Sequence, residues 1–281
     1  MTSPNKMDRI LFDRSIFHKE KFELLKTSSL TRQVKHNNIR VFFTSTFIEE
    51  TLTRSLDNMG EFASHWNFII SLQGAKWFKP GDQIVEIELS NNIEGEYYYL
   101  VPKGLIRFLL RNVKDFIAGK LSESEFKSIA EEVDKNKKDR QEFRKLRVDS
   151  RSEVKPGNYN FDEYVESNAE LFIEKSLTRN HEDSPKSLDT WRKHRAQCRF
   201  TELFLRAWLS TVFLPLSNHT LRVDLNDSTD AEQLAYMTWA DTMISDDTRF
   251  MKAAFDLLFQ GTGKKILTLR EFLEYLPESR E

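Results

Sequence analysis

Cysteine is nearly absent. Cys198 stands alone among 281 residues, which excludes an intramolecular disulfide and any zinc site assembled from several thiolates. The six histidines, His18, His36, His65, His181, His194 and His219, show no paired metal-ligand spacing. No apolar run approaches the roughly 20 residues of a membrane span; the longest, Leu203 to Leu216, is interrupted by Arg206 and Ser210. The opening residues Met1 to Lys6 lack the apolar core of a signal peptide, and together these absences lead us to expect a cytoplasmic protein with no membrane partner. Neither sign of charge dominates, the formal net charge being −2. A nucleic-acid partner would therefore be met by local basic patches and not by a global field. There is no internal repeat and no low-complexity segment. Gly261-Thr262-Gly263-Lys264-Lys265 is not a phosphate loop, because Leu258 stands where that motif needs glycine and Lys265 where it needs serine or threonine.

What is present is charge and aromaticity, 31 % and 12 % of residues, with Phe the dominant ring. That profile belongs to a helix-rich globular chain with length enough for a substantial core. Cys198 lies on an apolar-rich stretch and reads as a buried structural thiol. Arg9 to Phe12 is predicted as a short buried strand ending at Asp13, followed by a helix from Phe17 to Leu25. Ile39 to Phe43 is a second strand, and Thr44-Ser45-Thr46 supplies capping chemistry for the helix after it. This alternation argues for a parallel sheet with helices on its faces.

The middle has a different pattern. Gln83 to Leu89 alternates as a strand would, and Tyr97-Tyr98-Tyr99 reads as alternate burial in another, base stacking being the other role open to it. Lys103 to about Arg147 is helical, with the mixed-charge stretch from Ser122 to Glu153 a solvated or partner-facing surface. Pro156-Gly157-Asn158 breaks the chain, Phe161 to Leu177 is a helix, and Arg179 to Ser187 a loop. Leu188 to Leu214 is one long helix ended by Pro215. Beyond it, Leu221 to Leu225 and Thr242 to Ser245 are strands, Arg249 to Phe259 a helix, Lys265 to Thr268 a strand and Leu269 to Leu276 a helix. The two ends thus share an α/β pattern: residues 8–61 and 216–277 form a discontinuous core, and 62–215 a mostly helical insertion.

Carboxylates recur at the exits of the predicted strands. Asp13 ends the first, Glu49 and Glu50 lie in the helix after the second, Asp230 opens a helix, and Asp246 and Asp247 end the strand at Met243. In an open parallel sheet ligands bind beyond the carboxyl ends of the strands. If those strands are neighbours the acids converge, and like charges so gathered raise one another's pKa. A divalent cation resolves the conflict, and hard oxygen ligands select magnesium or manganese over zinc. Metal-assisted phosphodiester hydrolysis is the natural chemistry of such a set.

Four segments carry a family resemblance: Ile10-Leu11-Phe12-Asp13, Thr44-Ser45-Thr46-Phe47-Ile48-Glu49-Glu50, Asp230-Ala231-Glu232-Gln233-Leu234-Ala235, and Ile244-Ser245-Asp246-Asp247-Thr248-Arg249-Phe250. In their order, and with the closing Lys265 to Leu273, they resemble the PIN-domain (PilT amino-terminal-like) family of metal-dependent ribonucleases. The resemblance covers roughly residues 8–61 and 216–277. It implies a PIN-like α/β fold with a large helical insertion, Mg²⁺ or Mn²⁺ as cofactor, and RNA as substrate of an endoribonuclease. It also implies Asp13, Glu50, Asp230 and Asp247 as metal-holding catalytic residues. Glu49, Asp227 and Asp246 remain alternates. Arg192, Lys193, Arg195 and Arg199 lie within three turns of the long predicted helix. They form either its solvated basic face or a clamp for the RNA backbone. A different class of function also fits: a catalytically inactive PIN-like scaffold that binds protein or RNA, with a partner or regulator meeting the helical insertion.

Overall fold

The computed structural model describes residues 8–122, 124–128, 131, 135, 160–174, 184–217, 227–247 and 249–276, the side chains of 54–57, 184 and 228 excepted. Five parallel strands form one sheet in the order β3-β2-β1-β4-β5: β1 (Asp8–Phe12), β2 (Ile39–Phe43), β3 (Lys76–Trp77), β4 (Thr242–Ile244) and β5 (Lys265–Leu267). The chain is therefore α/β, with helices on both faces. Successive side chains of a strand point to opposite faces, and the burial follows that rule. Leu11, Phe42, Phe78 and Met243 enter one apolar cluster, whereas Ile10, Phe12, Val41, Phe43, Trp77 and Ile244 enter the other. These near-continuous apolar runs are what a parallel sheet covered on both sides requires.

The second cluster is covered by α1 (Lys19–Thr27), α2 (Leu30–Lys35), α3 (Ser45–Asp57), α4 (Met59–Ser71), α6 (Lys103–Ile117) and the closing helix α12 (Leu269–Tyr275). The first is covered by α5 (Gly81–Leu89), α7 (Phe161–Phe172), α8 (Ser184–His194), α9 (Arg199–Ser217), α10 (Asp227–Ala235) and α11 (Phe250–Phe259). The stretch 62–215, expected as a mostly helical insertion, thus supplies the edge strand β3 and helices to both layers. No helix among the described residues is long and apolar enough to cross a membrane.

Several local expectations are corrected. Gln83 to Leu89 is helical, within α5, because Ile84, Val85, Glu88 and Leu89 are buried together at helical spacing. Tyr97 to Tyr99 is a turn, and the strand-like contact there is a single antiparallel bridge from Leu100 to Phe78. A short helix, α2, occupies residues not assigned from periodicity. The helix from Lys103 closes at Ile117, where Gly119 adopts φ +70°, and helical turns resume at 124–128. Of the predicted loop from Arg179 to Ser187, residues 184–187 are already α8, with Pro185 in the first turn, where its missing N–H is no loss, and residues 179–183 lie outside the described residues. Pro215 does not end α9 but sits in its last turns. Asp227, not Asp230, opens α10. Most of the mixed-charge segment from Ser122 to Glu153, the break at Pro156 to Asn158, and the strand predicted at Leu221 to Leu225 lie outside the described residues.

The long helix predicted from Leu188 to Leu214 is in fact two, α8 and α9, separated at 195–198. The start of α9 is capped from afar. Glu88 on α5, 1 % exposed, accepts the backbone N–H of Phe200 at 3.1 Å and of Thr201 at 2.7 Å, together with the Thr201 hydroxyl at 2.7 Å and the Tyr98 hydroxyl at 2.6 Å. A carboxylate at a helix amino terminus satisfies orphan donors and complements the macrodipole. Burial and the bond to Glu88 push the Tyr98 hydroxyl pKa up, and burial pushes that of the nearby Cys198 thiol to about 12, consistent with an inert structural thiol. Glu88→Ala, which orphans these donors, is predicted to cost about 3 kcal/mol, and Tyr98→Phe about 1 kcal/mol. Urea denaturation of the two variants against wild type measures both.

Candidate acidic site

β1 and β4 are neighbours, and β2 follows β1 on one side while β4 lies on the other. The crevice between the exits of β1 and β4 is therefore a topological switch point. Asp13 stands there. Its backbone N–H donates to Ile244 O at 3.0 Å, extending the β1–β4 ladder by one residue before the chain turns into the 3₁₀ segment Arg14–Ile16. Its carboxylate, on a residue 6 % exposed, accepts hydrogen bonds on Oδ2 from the hydroxyls of Ser15 and Ser245, the latter at 2.7 Å. The two serines then bind the exit of β4: Asp246 N–H donates to Ser15 Oγ at 3.2 Å and Asp247 N–H to Ser245 Oγ at 3.1 Å. Hydroxyls and backbone thus hold Asp13 in one orientation.

Glu50 arrives on α3, which begins directly after β2, its first turn capped by the Thr44 hydroxyl accepting Phe47 N–H at 3.0 Å. Asp227 and Asp230 arrive in the first turn of α10, where carboxylates are favoured by the helix dipole. The four acids meet electrostatically at Asp230. Its pKa is raised well above the ordinary 3.8, by burial first and then by Asp13, Asp247, Asp227 and Glu50 in that order. Residues from both ends of the chain thus act on one carboxyl group.

The alternates separate by their surroundings. Asp246 is engaged away from this crevice: Oδ1 accepts Leu269 N–H at 2.9 Å, at the start of α12, and Oδ2 pairs with Lys21 Nζ at 2.8 Å. Asp247 is held by Arg249, whose N–H donates to Oδ1 at 2.8 Å. Glu49 acts on the buried Tyr236 hydroxyl. Asp227, 1 % exposed, belongs with the set around Asp230. Among the described residues no group of three or more acidic, histidine or cysteine side chains stands in ligating geometry. The donor chemistry, carboxylates backed by hydroxyls, is nonetheless that of hard divalent cations.

Three of the four cations of the predicted clamp are paired with carboxylates. Arg192 pairs with Glu170 through Nε at 2.7 Å and Nη2 at 2.6 Å, and Lys193 with Asp189 at 2.7 Å. Arg195 bridges Glu166 and Glu202 and lies over the Trp191 ring at 4.7 Å. These pairs tie α7, α8 and α9 together. Arg199 alone of the four borders a cleft, with Tyr98, Tyr99 and Trp239. Sequence reasoning missed Ser15 and Ser245. Their signal was adjacency, each standing within two residues of a predicted acid.

No family model matches this chain, and neither a curated protein nor a solved structure matches it significantly.

The raised pKa of Asp230 carries a stability consequence of definite sign. A carboxyl whose folded pKa exceeds its unfolded value favours the folded state below the unfolded pKa and loses that contribution as pH rises through the folded value. In metal-free buffer Asp230→Asn is therefore predicted to raise the unfolding midpoint at pH 7 to 8. The gain shrinks on acidification and vanishes below the ordinary value of 3.8. Thermal unfolding of both proteins across that pH range, with EDTA present, checks it.

Proposed function

We propose that this chain is a PIN-like nuclease, a Mg²⁺- or Mn²⁺-dependent endoribonuclease in which Asp13, Glu50, Asp230 and Asp247 hold the cation, with Asp227 beside them. The observation that carries this reading is the electrostatic convergence of Asp13, Glu50, Asp227 and Asp247 on Asp230 beyond the carboxyl ends of β1 and β4. A fold that gathers carboxylates at the customary ligand edge of a parallel sheet raises the cost of ionising them, and a cation lowers it. The chemistry such a cation supplies when bound is neutralisation of charge on the phosphate and acidification of a water. The chain's own contribution is positional. Ser15 and Ser245 fix Asp13, the α3 scaffold carries Glu50, and the first turn of α10 presents Asp227 and Asp230. Arg249 restrains Asp247 through its backbone N–H.

One observation favours a second reading, a PIN-like scaffold without catalysis that binds protein or RNA. It is the lack, among the described residues, of three acids in ligating geometry. The two readings divide on binding of the metal itself. Under the nuclease reading Mn²⁺ raises the unfolding midpoint of wild type and much less that of Asp13→Asn. Labelled single-stranded RNA is then cleaved with Mn²⁺ and not with EDTA. Asp13→Asn and Asp230→Asn each lower the rate at least about 100-fold, the scale of losing a preorganised electrostatic group. Asp246→Asn, whose partners are Lys21 and Leu269, leaves metal binding in place. A wild-type protein that neither shifts with Mn²⁺ nor cleaves any RNA overturns the nuclease reading.

A further inference from the structure

The amino-terminal edge of the sheet, opposite the acidic crevice, carries a group of cations that the proposed chemistry does not use. The parallel register sets Arg9 beside Arg40 and Phe42 beside Lys76. Strand alternation then places Arg9, Arg40 and Lys76 on the face that carries Leu11, Phe42 and Phe78. Arg9 is neutralised by a bidentate pair with Asp241, at 2.9 and 2.8 Å. Arg40, Lys76 and Lys103, the last opening α6, have no ion-pair partner among the described residues. They also repel one another. The Lys76 ammonium is pushed below its ordinary pKa, by burial first and then by Lys103 and Arg40. Like charges gathered without a counter-charge weaken the fold, and an external anion relieves the strain.

Rings adjoin these cations. Arg9 and Arg40 both act electrostatically on Tyr99. The Tyr99 ring stacks on Trp239 with centroids 3.9 Å apart and planes at 14°, and Tyr97, 55 % exposed, meets Tyr99 edge-on at 6.3 Å. Tyr98, Tyr99 and Trp239 then line a cleft of about 400 Å³ with Asn91, Gln197 and Arg199. Glu96 is the one carboxylate in that lining. Unpaired cations near one exposed ring, that of Tyr97, and the amide donors of the cleft suit a single strand of nucleic acid. Its phosphates are neutralised and its bases stack without regard to sequence, since every base has a π face. An acidic protein segment would use the cations and leave the rings idle.

We propose that Arg40, Lys76 and Lys103, with the exposed Tyr97 ring and the neighbouring cleft bordered by Tyr99 and Arg199, form a binding surface for single-stranded nucleic acid separate from the acidic site. Arg40 is level with Arg9, four residues or roughly 13 Å before Asp13 at the rise of a strand, and Lys76 is level with Leu11. The ligand class rests on the nuclease reading, but binding here needs no metal and no cleavage.

The test is fluorescence anisotropy with a short labelled oligouridylate and the full chain, in EDTA, over a salt series. Wild type should bind. Lys76→Glu with Lys103→Glu should weaken binding at least about tenfold and flatten the salt dependence by about 0.7 in log–log slope per lost phosphate contact. Tyr97→Ser should weaken it several-fold with the slope unchanged, since stacking releases no counterions. Asp13→Asn should bind as wild type does even where it abolishes cleavage, which separates failure of this surface from failure of the catalytic reading. A labelled oligodeoxythymidylate distinguishes DNA from RNA as the source of the strand, and either supports the surface. The proposal is overturned if wild type does not bind. It is equally overturned if polyglutamate competes as well as the oligonucleotide, or if the charge-matched control Lys26→Glu with Lys252→Glu weakens binding as much.

Discussion

The pairing of β1 with β4 is the contact on which the rest of the molecule depends. It joins strands from opposite ends of the chain and is closed at both ends by side chains. Arg9 grips Asp241 at the amino edge and Ser245 donates to Asp13 at the carboxyl edge, each contact spanning 232 residues of sequence. Closing so long a loop is entropically expensive, though the cost grows only with the logarithm of length. The compensation is burial: Ile10, Leu11, Phe12, Met243 and Ile244 are all 0 % exposed. Because the ladder fixes register to the residue, it also determines which side chains meet beyond its end.

That geometry separates two kinds of charge. Cations gather at the amino edge and carboxylates at the carboxyl edge, and each group carries a repulsion the chain leaves partly unrelieved, seen at Lys76 and at Asp230. Other charges are treated differently. Asp246 is paired with Lys21, Arg195 with two glutamates, and Lys264 donates to the carbonyls of Met237 and Ala240. The fold pairs charge readily elsewhere and leaves it crowded at these two places. This contrast supports both functional proposals.

Much of the sheet was legible in advance. Arg9 to Phe12, Ile39 to Phe43, Thr242 to Ser245 and Lys265 to Thr268 are compact apolar runs that differ from the observed strands by a residue or so at their ends. The capping signal at Thr44 marks a real helix start. What failed did so where the deciding partner was remote. Lys76-Trp77 is too short to read as a strand alone and becomes one by pairing with Phe42 and Phe43. The break between α8 and α9 is invisible locally, because the carboxylate that caps α9 is Glu88, 112 residues before Phe200. Gln83 to Leu89 has a pattern open to either period, and packing chose the helix.

The candidate site divides the same way. Residue chemistry and position along the chain were enough to nominate Asp13, Asp230 and the pairs Glu49–Glu50 and Asp246–Asp247, because carboxylates after strands lie at one edge of any parallel sheet. Choosing between Asp246 and Asp247 needed three dimensions: neighbours in sequence point to different partners, one to Lys21 and Leu269, the other to Arg249 and Asp230. The amino-edge cations and the aromatic cleft were beyond reach for a similar reason. Arg40, Lys76, Lys103 and Trp239 are far apart in the chain and share no motif. The order of residues determined the α/β class and the acids that strands would deliver. The tertiary structure alone decided which charges are paired and which are crowded together, because pairing depends on distances that register and packing set.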